Sequence, residues 1–99
     1  MMRKELKAEN TFTVYGWMVK DLELSGNSLM IYAIIYGFSQ TEGTYYSGGY
    51  KYLAECTGSD ITTVQRVVKN MVKAGLLIRE DKEENNHVIP QFRTVRGMI

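Results

Sequence analysis

The sequence is poor in residues that cross-link a small protein. It holds one cysteine and one histidine. A single cysteine excludes an internal disulfide, and the two together cannot build a structural zinc site within one chain. Long apolar runs are also missing. The longest candidate, between Lys20 and Glu42, is broken by Ser, Gly and Asn, and falls short of the ~20 residues a membrane helix needs. The charged start Met1-Met2-Arg3-Lys4-Glu5 lacks the apolar stretch of a secretory signal. These features lead us to expect a cytoplasmic protein. Strong net charge is absent too: twelve Lys and Arg oppose eleven Asp and Glu, leaving +1. Any basic surface must therefore come from local clustering. No G-x-x-x-x-G-K-[ST] or G-x-G-x-x-G string is present. With no nucleophile–base pair or metal cluster either, an enzyme is the least expected class, and no cofactor is expected.

What is present suits one soluble domain. Of the 99 residues, 44% are apolar and 23% charged, enough for one core and too apolar for a disordered chain. Residues 1–23 read as an amino-terminal arm and lead-in, and residues 24–99 as the domain. Within the lead-in, Phe12-Thr13-Val14-Tyr15 is a short β-prone run, and Phe12, Trp17 and Met18 are expected to pack on the body.

Periodicity then predicts three helices and a hairpin. Ser25 is the expected cap of the first helix. Leu29, Tyr32, Ala33 and Tyr36 share one face, and Met30, Ile31, Ile34, Ile35 and Phe38 cover most of the rest. A helix apolar nearly all round is either central or shared with a partner subunit. A loop follows at Gln40-Thr41-Glu42-Gly43. A second helix follows the extended Tyr45-Tyr46-Ser47, with Ser47 as cap, Gly58 as left-handed exit, and Tyr50, Leu53, Ala54 and Cys56 in the core. The third helix is capped by Asp60 and ended by Gly75. Ile61, Val64, Val67, Val68, Met71 and Val72 form its buried stripe. Leu76 to Glu80 reads as a strand, Glu84-Asn85-Asn86 as a turn and His87 to Val95 as the return strand, with Pro90 marking an edge or bulge.

The order of these elements carries the functional signal. Thr57-Gly58-Ser59-Asp60 has the length of a helix-turn-helix connection. From Tyr52-Leu53-Ala54 through Thr63-Val64-Gln65-Arg66 to Ala74-Gly75-Leu76-Leu77, the chain resembles the core of winged-helix DNA-binding domains. In that pattern the Tyr-Leu-Ala segment lies on the positioning helix. The Thr-Val-Gln-Arg segment opens the recognition helix, and Gly-Leu-Leu leads into the wing. Leu24 to Phe38 resembles the first helix of the same fold. With Tyr45-Tyr46-Ser47-Gly48, the variant is most similar to small phage proteins and to DnaD-type replication-initiation amino-terminal domains. The resemblance implies an α+β winged helix: a three-helix helix-turn-helix core with a small antiparallel β-hairpin wing. It also implies double-stranded DNA as partner, in transcription regulation or replication initiation, read by residues 60–74.

The residue chemistry agrees for the third helix. Gln65 can pair with adenine and Arg66 with guanine. Thr62 and Thr63 are short enough to let a phosphate approach the helix start, and Lys69 and Lys73 suit phosphate contacts further along. From Ile61 to Arg79 there are four cations and no acid, a local footprint the overall charge hides. Glu80-Asp81-Lys82-Glu83-Glu84 argues the other way, since an acidic wing should not lie along a phosphate backbone. His87, Arg93 and Arg96 could offset it only from the far strand. Either the wing points away from DNA, or the scaffold serves protein–protein contact. In the second case a homodimer would form through the apolar first helix and Phe12, Trp17, Tyr32 and Tyr36. Plainer readings cover the remaining candidates. Cys56 reads as a small buried hydrophobe, His87 as a strand-end surface residue, and Asp60 with Glu55 as a cap and a surface acid. Of seven tyrosines that could offer single strands a stacking surface, Tyr32, Tyr36 and Tyr50 read as core or subunit packing, and Tyr45 and Tyr46 stay open.

Overall fold

The computed structural model describes residues 9–40 and 43–95. Parts of the expected arm (1–8), of the loop (Thr41, Glu42) and of the chain end (Arg96) lie outside the described residues.

Phe12 to Tyr15 forms no strand. A five-residue helix, α1 (Gly16–Lys20), follows instead. Its anchor is Met18, which is fully buried, while Phe12 and Trp17 pack against the same core. The lead-in is therefore part of the folded body.

The helix apolar nearly all round proves to be central. α2 (Gly26–Phe38) buries six consecutive residues, Ile31 to Tyr36. Successive residues in a helix point in different directions, so such a run needs cover on every side. α1, α3 (Gly49–Thr57), α4 (Ile61–Lys73) and β2 (His87–Thr94) all pack on it. Ser25 sits at the cap position with extended backbone, but its side chain makes no capping bond. At the other end Ser39 is buried. Its hydroxyl lies 2.8 Å from the Ile35 carbonyl and 3.3 Å from the Thr94 hydroxyl. That pairing ties the end of α2 to the end of β2.

α3 departs from expectation in two ways. Its cap residue is Gly48, not Ser47. Space explains the glycine: a Cβ there would stand 2.7 Å from the Tyr46 hydroxyl oxygen. Tyr46 is buried and donates its hydroxyl proton to the Gly49 carbonyl at 2.6 Å, so the ring cannot readily yield. The core residues of α3 are Tyr52, Leu53 and Ala54, with Tyr50 and Cys56 only half-buried. The Tyr52 ring fits between Phe12 and Tyr46, partners set by tertiary packing.

β1 (Leu77–Glu84) and β2 pair antiparallel from Leu77 opposite Thr94 to Glu84 opposite His87. Asn85 and Asn86, both at positive φ, make the two-residue turn, as hairpin twist requires. Tyr46 adds a bridge to Phe92, with backbone N–O distances of 2.7 and 2.9 Å. Because side chains alternate across a strand, Leu77, Phe92 and Thr94 share the inner face and are buried. The strands outrun the core, so Arg79, Asp81 and Glu83 continue that face into solvent. The architecture is α+β: a helical body with an antiparallel two-strand wing, consistent with a winged helix.

Candidate nucleic-acid interface

α3 and α4 are joined by three residues, and local chemistry fixes each end of the joint. Gly58 takes φ 65° and ψ 28°, ending α3 in the left-handed region that lacks a steric cost only for glycine. Thr57 accepts no further helix; its hydroxyl donates back to the Leu53 carbonyl at 2.9 Å and meets the Ser59 hydroxyl at 2.6 Å. Asp60 then caps α4, accepting the Thr63 amide proton at 2.7 Å. That hydrogen bond, with help from the nearby Arg66 charge, holds the Asp60 carboxyl below its usual pKa.

The result is an α4 whose two sides differ completely. Of the expected stripe, Val64, Val67, Val68 and Met71 are buried, but Val72 is half-buried and Ile61, in the first turn beyond the core, is exposed. Opposite them Thr62, Gln65, Arg66, Lys69 and Lys73 are all exposed, at spacings that place them on one ridge. Neither Lys69 nor Lys73 is in an ion pair among the described residues, so both charges are free to meet an outside anion. Thr63 stands apart: it is half-buried, and its amide is already bonded to Asp60. The cap thus occupies a donor that a phosphate would otherwise use and places a carboxylate at the helix start. Asn70, exposed beside Lys69, is a ridge residue that sequence reasoning passed over. Helical spacing from Arg66 would have found it.

The wing is charged differently. Glu80, Asp81 and Glu83 are exposed and Glu84 half-exposed. Two surface ion pairs answer part of this charge, Arg79 Nε to Asp81 at 2.8 Å and Lys82 to Glu84 at 3.5 Å. Tyr45 donates to Glu80 at 2.6 Å, which raises the Tyr45 pKa, and Arg93 lies over the Tyr45 ring. Arg79 stands on the inner face opposite Phe92 and lines a cleft with Lys69 and Lys73. Strand alternation from the buried Leu77 is the signal that would have placed it there.

Aromatic residues do not form an open stacking surface. Tyr32 and Tyr36 are buried, and Trp17 packs edge-on against both. Of the rings expected to meet a second subunit, Tyr32 and Tyr36 are buried in the chain's own core, and Phe12 and Trp17 are half-buried against it. What remains exposed beside them is Val14, Tyr15 and Val19. Cys56 is half-buried and in no disulfide, and His87 is exposed at the hairpin turn. Among the described residues no group of His, Cys, Asp and Glu could hold a metal, and no helix is long and apolar enough to cross a membrane.

A family model described as a helix-turn-helix domain matches residues 22–77. That span covers α2, α3, the joint and α4. No curated protein matches the chain. Among solved structures the chain is similar to one described as "Structure of Rep-DNA complex", at 14% identity and a TM-score of 0.59. The likeness covers 92% of this chain and 78% of that one, and it extends the shared fold beyond the helix-turn-helix to the lead-in and wing.

Proposed function

The chain belongs to the helix-turn-helix domain family, and from that membership we propose that it is a non-enzymatic module that binds double-stranded DNA sequence-specifically. It acts in transcription regulation or replication initiation. α4 enters the major groove with its exposed ridge. Gln65 and Arg66 contact base edges, each good paired contact giving about 1–3 kcal/mol of discrimination. Thr62 and Thr63 lie near the backbone at the groove entrance, and Lys69 and Lys73 meet phosphates. The observation that carries this reading is the joint exposure of Thr62, Gln65, Arg66, Lys69 and Lys73 opposite the core. The description of the similar structure as a complex with DNA supports the same partner, as does the four-cation stretch from Ile61 to Arg79. The acidic hairpin end points to a binding mode centred on α4, with the wing tip held off the backbone. Arg66→Ala is expected to weaken binding and relax preference at one base pair by about 1–3 kcal/mol, while Lys69→Ala lowers the salt slope by about one unit. Unchanged DNA affinity in both variants at low salt would refute the proposal.

A second reading concerns self-association. Val14, Tyr15 and Val19 are 43%, 46% and 50% exposed, grouped around α1. A dimer joined there could read two half-sites about one helical turn apart. Sedimentation of the wild type and of Tyr15→Ser/Val19→Ser tests this. The dimer reading expects a concentration-dependent shift lost in the variant, and a monomer at all concentrations contradicts it.

A further inference from the structure

Between α4 and the hairpin lies a cleft of about 420 Å³, within the size range of small-molecule sites. Its apolar floor is open at the half-buried Val72 of α4 and Tyr50 of α3, with the buried Val68 and Phe92 beside them and the Tyr50 and Phe92 ring centres 6.1 Å apart. Its rim carries Lys69, Lys73 and Arg79, and no lining residue is acidic. Arg79 is already oriented. Its Nε donates to Asp81 at 2.8 Å, which leaves the terminal amino groups of the guanidinium as donors.

We infer that this cleft binds a small aromatic carboxylate, and that its occupancy excludes DNA. The exclusion rests on the DNA-binding reading above, because Gln65, Lys69 and Lys73 belong to both surfaces. Charge complementarity selects an anion: Lys69 and Lys73 are in no ion pair among the described residues, Arg79 shares only its Nε with Asp81, and the free end of its guanidinium suits a carboxylate's paired oxygens. The floor selects a flat hydrocarbon body. Bound carboxylate would offset one of the rim's positive charges, and the aromatic body would fill the space beside the ridge.

The test uses 1-naphthoate as probe and neutral 1-naphthalenemethanol as control, titrated into the ¹⁵N-labelled chain without DNA. The inference expects saturable amide shifts clustered at Tyr50, Gln65, Lys69, Val72, Lys73 and Arg79, with naphthoate at least tenfold tighter than the alcohol. Arg79→Gln, at an exposed position, should weaken naphthoate at least fivefold, and Val72→Gln should do the same from the floor. Shifts scattered over the surface, equal affinity for the alcohol, or indifference to Arg79→Gln overturn the site. In a second arm, naphthoate should displace a labelled duplex from the wild type, and less readily from Val72→Gln. Displacement from neither overturns the exclusion. Clustered naphthoate shifts in a chain that never binds DNA uphold the site and count only against the DNA reading.

Discussion

Single residues set the geometry on which the interface depends, and two of them make sharp predictions. Gly48 has an ordinary backbone conformation, so its requirement for glycine is one of space against the Tyr46 ring. Gly48→Ala should destabilise by about 1–3 kcal/mol, the usual cost of forcing a methyl group into a filled site. A urea midpoint unchanged from wild type would contradict this. Tyr46 and Tyr52 bring a pH dependence. Burial raises both phenols, that of Tyr52 to about 12 and that of Tyr46 further. The unfolded chain ionises its tyrosines near pH 10. Above that pH the unfolded state sheds protons the folded state retains, so stability is complete below about pH 10 and falls as pH rises beyond it. Urea midpoints measured from pH 7 to 11 should drop on the alkaline side, and Tyr46→Phe should flatten part of that drop. A drop of full size in the variant would exclude Tyr46 as its source.

At the scale of elements, legibility followed the range of the forces involved. α4 was readable almost whole, because its cap at Asp60, its exit at Gly75 and its two opposed stripes are all local in sequence. Gly58 and the Asn85-Asn86 turn were readable for the same reason, each being demanded by positive φ. α3 was misread where long-range packing decides. Tyr52 is buried by Phe12 and Tyr46, and the cap falls at Gly48, where the Tyr46 ring leaves no space for a Cβ. The Ser39–Thr94 pair joins residues 55 apart, which no local pattern announces. At the site, helical spacing gave the ridge but not the amide already committed at Thr63, nor the place of Arg79 beside Lys69 and Lys73. The hairpin carries its own prediction. If α4 docks with the acidic tip held off the backbone, the tip still repels DNA through solvent over a Debye length of ~30 Å at 0.01 M salt. Glu83→Gln/Glu84→Gln should then strengthen duplex binding severalfold at low salt, with the gain vanishing near 0.15 M. Weaker binding in that variant would mean that the acids themselves contact a partner.

For the whole molecule, the decisive property is separation of charge on a nearly neutral chain. A net charge of +1 gives little long-range attraction to DNA, so affinity must come from where the cations stand. The fold collects Arg66, Lys69 and Lys73 on one exposed face and puts Glu83 and Glu84 at the hairpin's far end, with Glu80 and Asp81 midway along β1 and Asp81 paired to Arg79. Each phosphate neutralised by a cation contributes roughly 0.9 to the slope of log affinity against log salt. The direct measurement is therefore the anisotropy of a labelled duplex titrated with the full chain across a range of salt, for the wild type and for Lys69→Ala/Lys73→Ala. We expect wild-type affinity to fall steeply with salt, and the double variant to bind more weakly with a slope shallower by about two units. A double variant that keeps both the affinity and the slope of the wild type would show that the α4 ridge does not meet DNA.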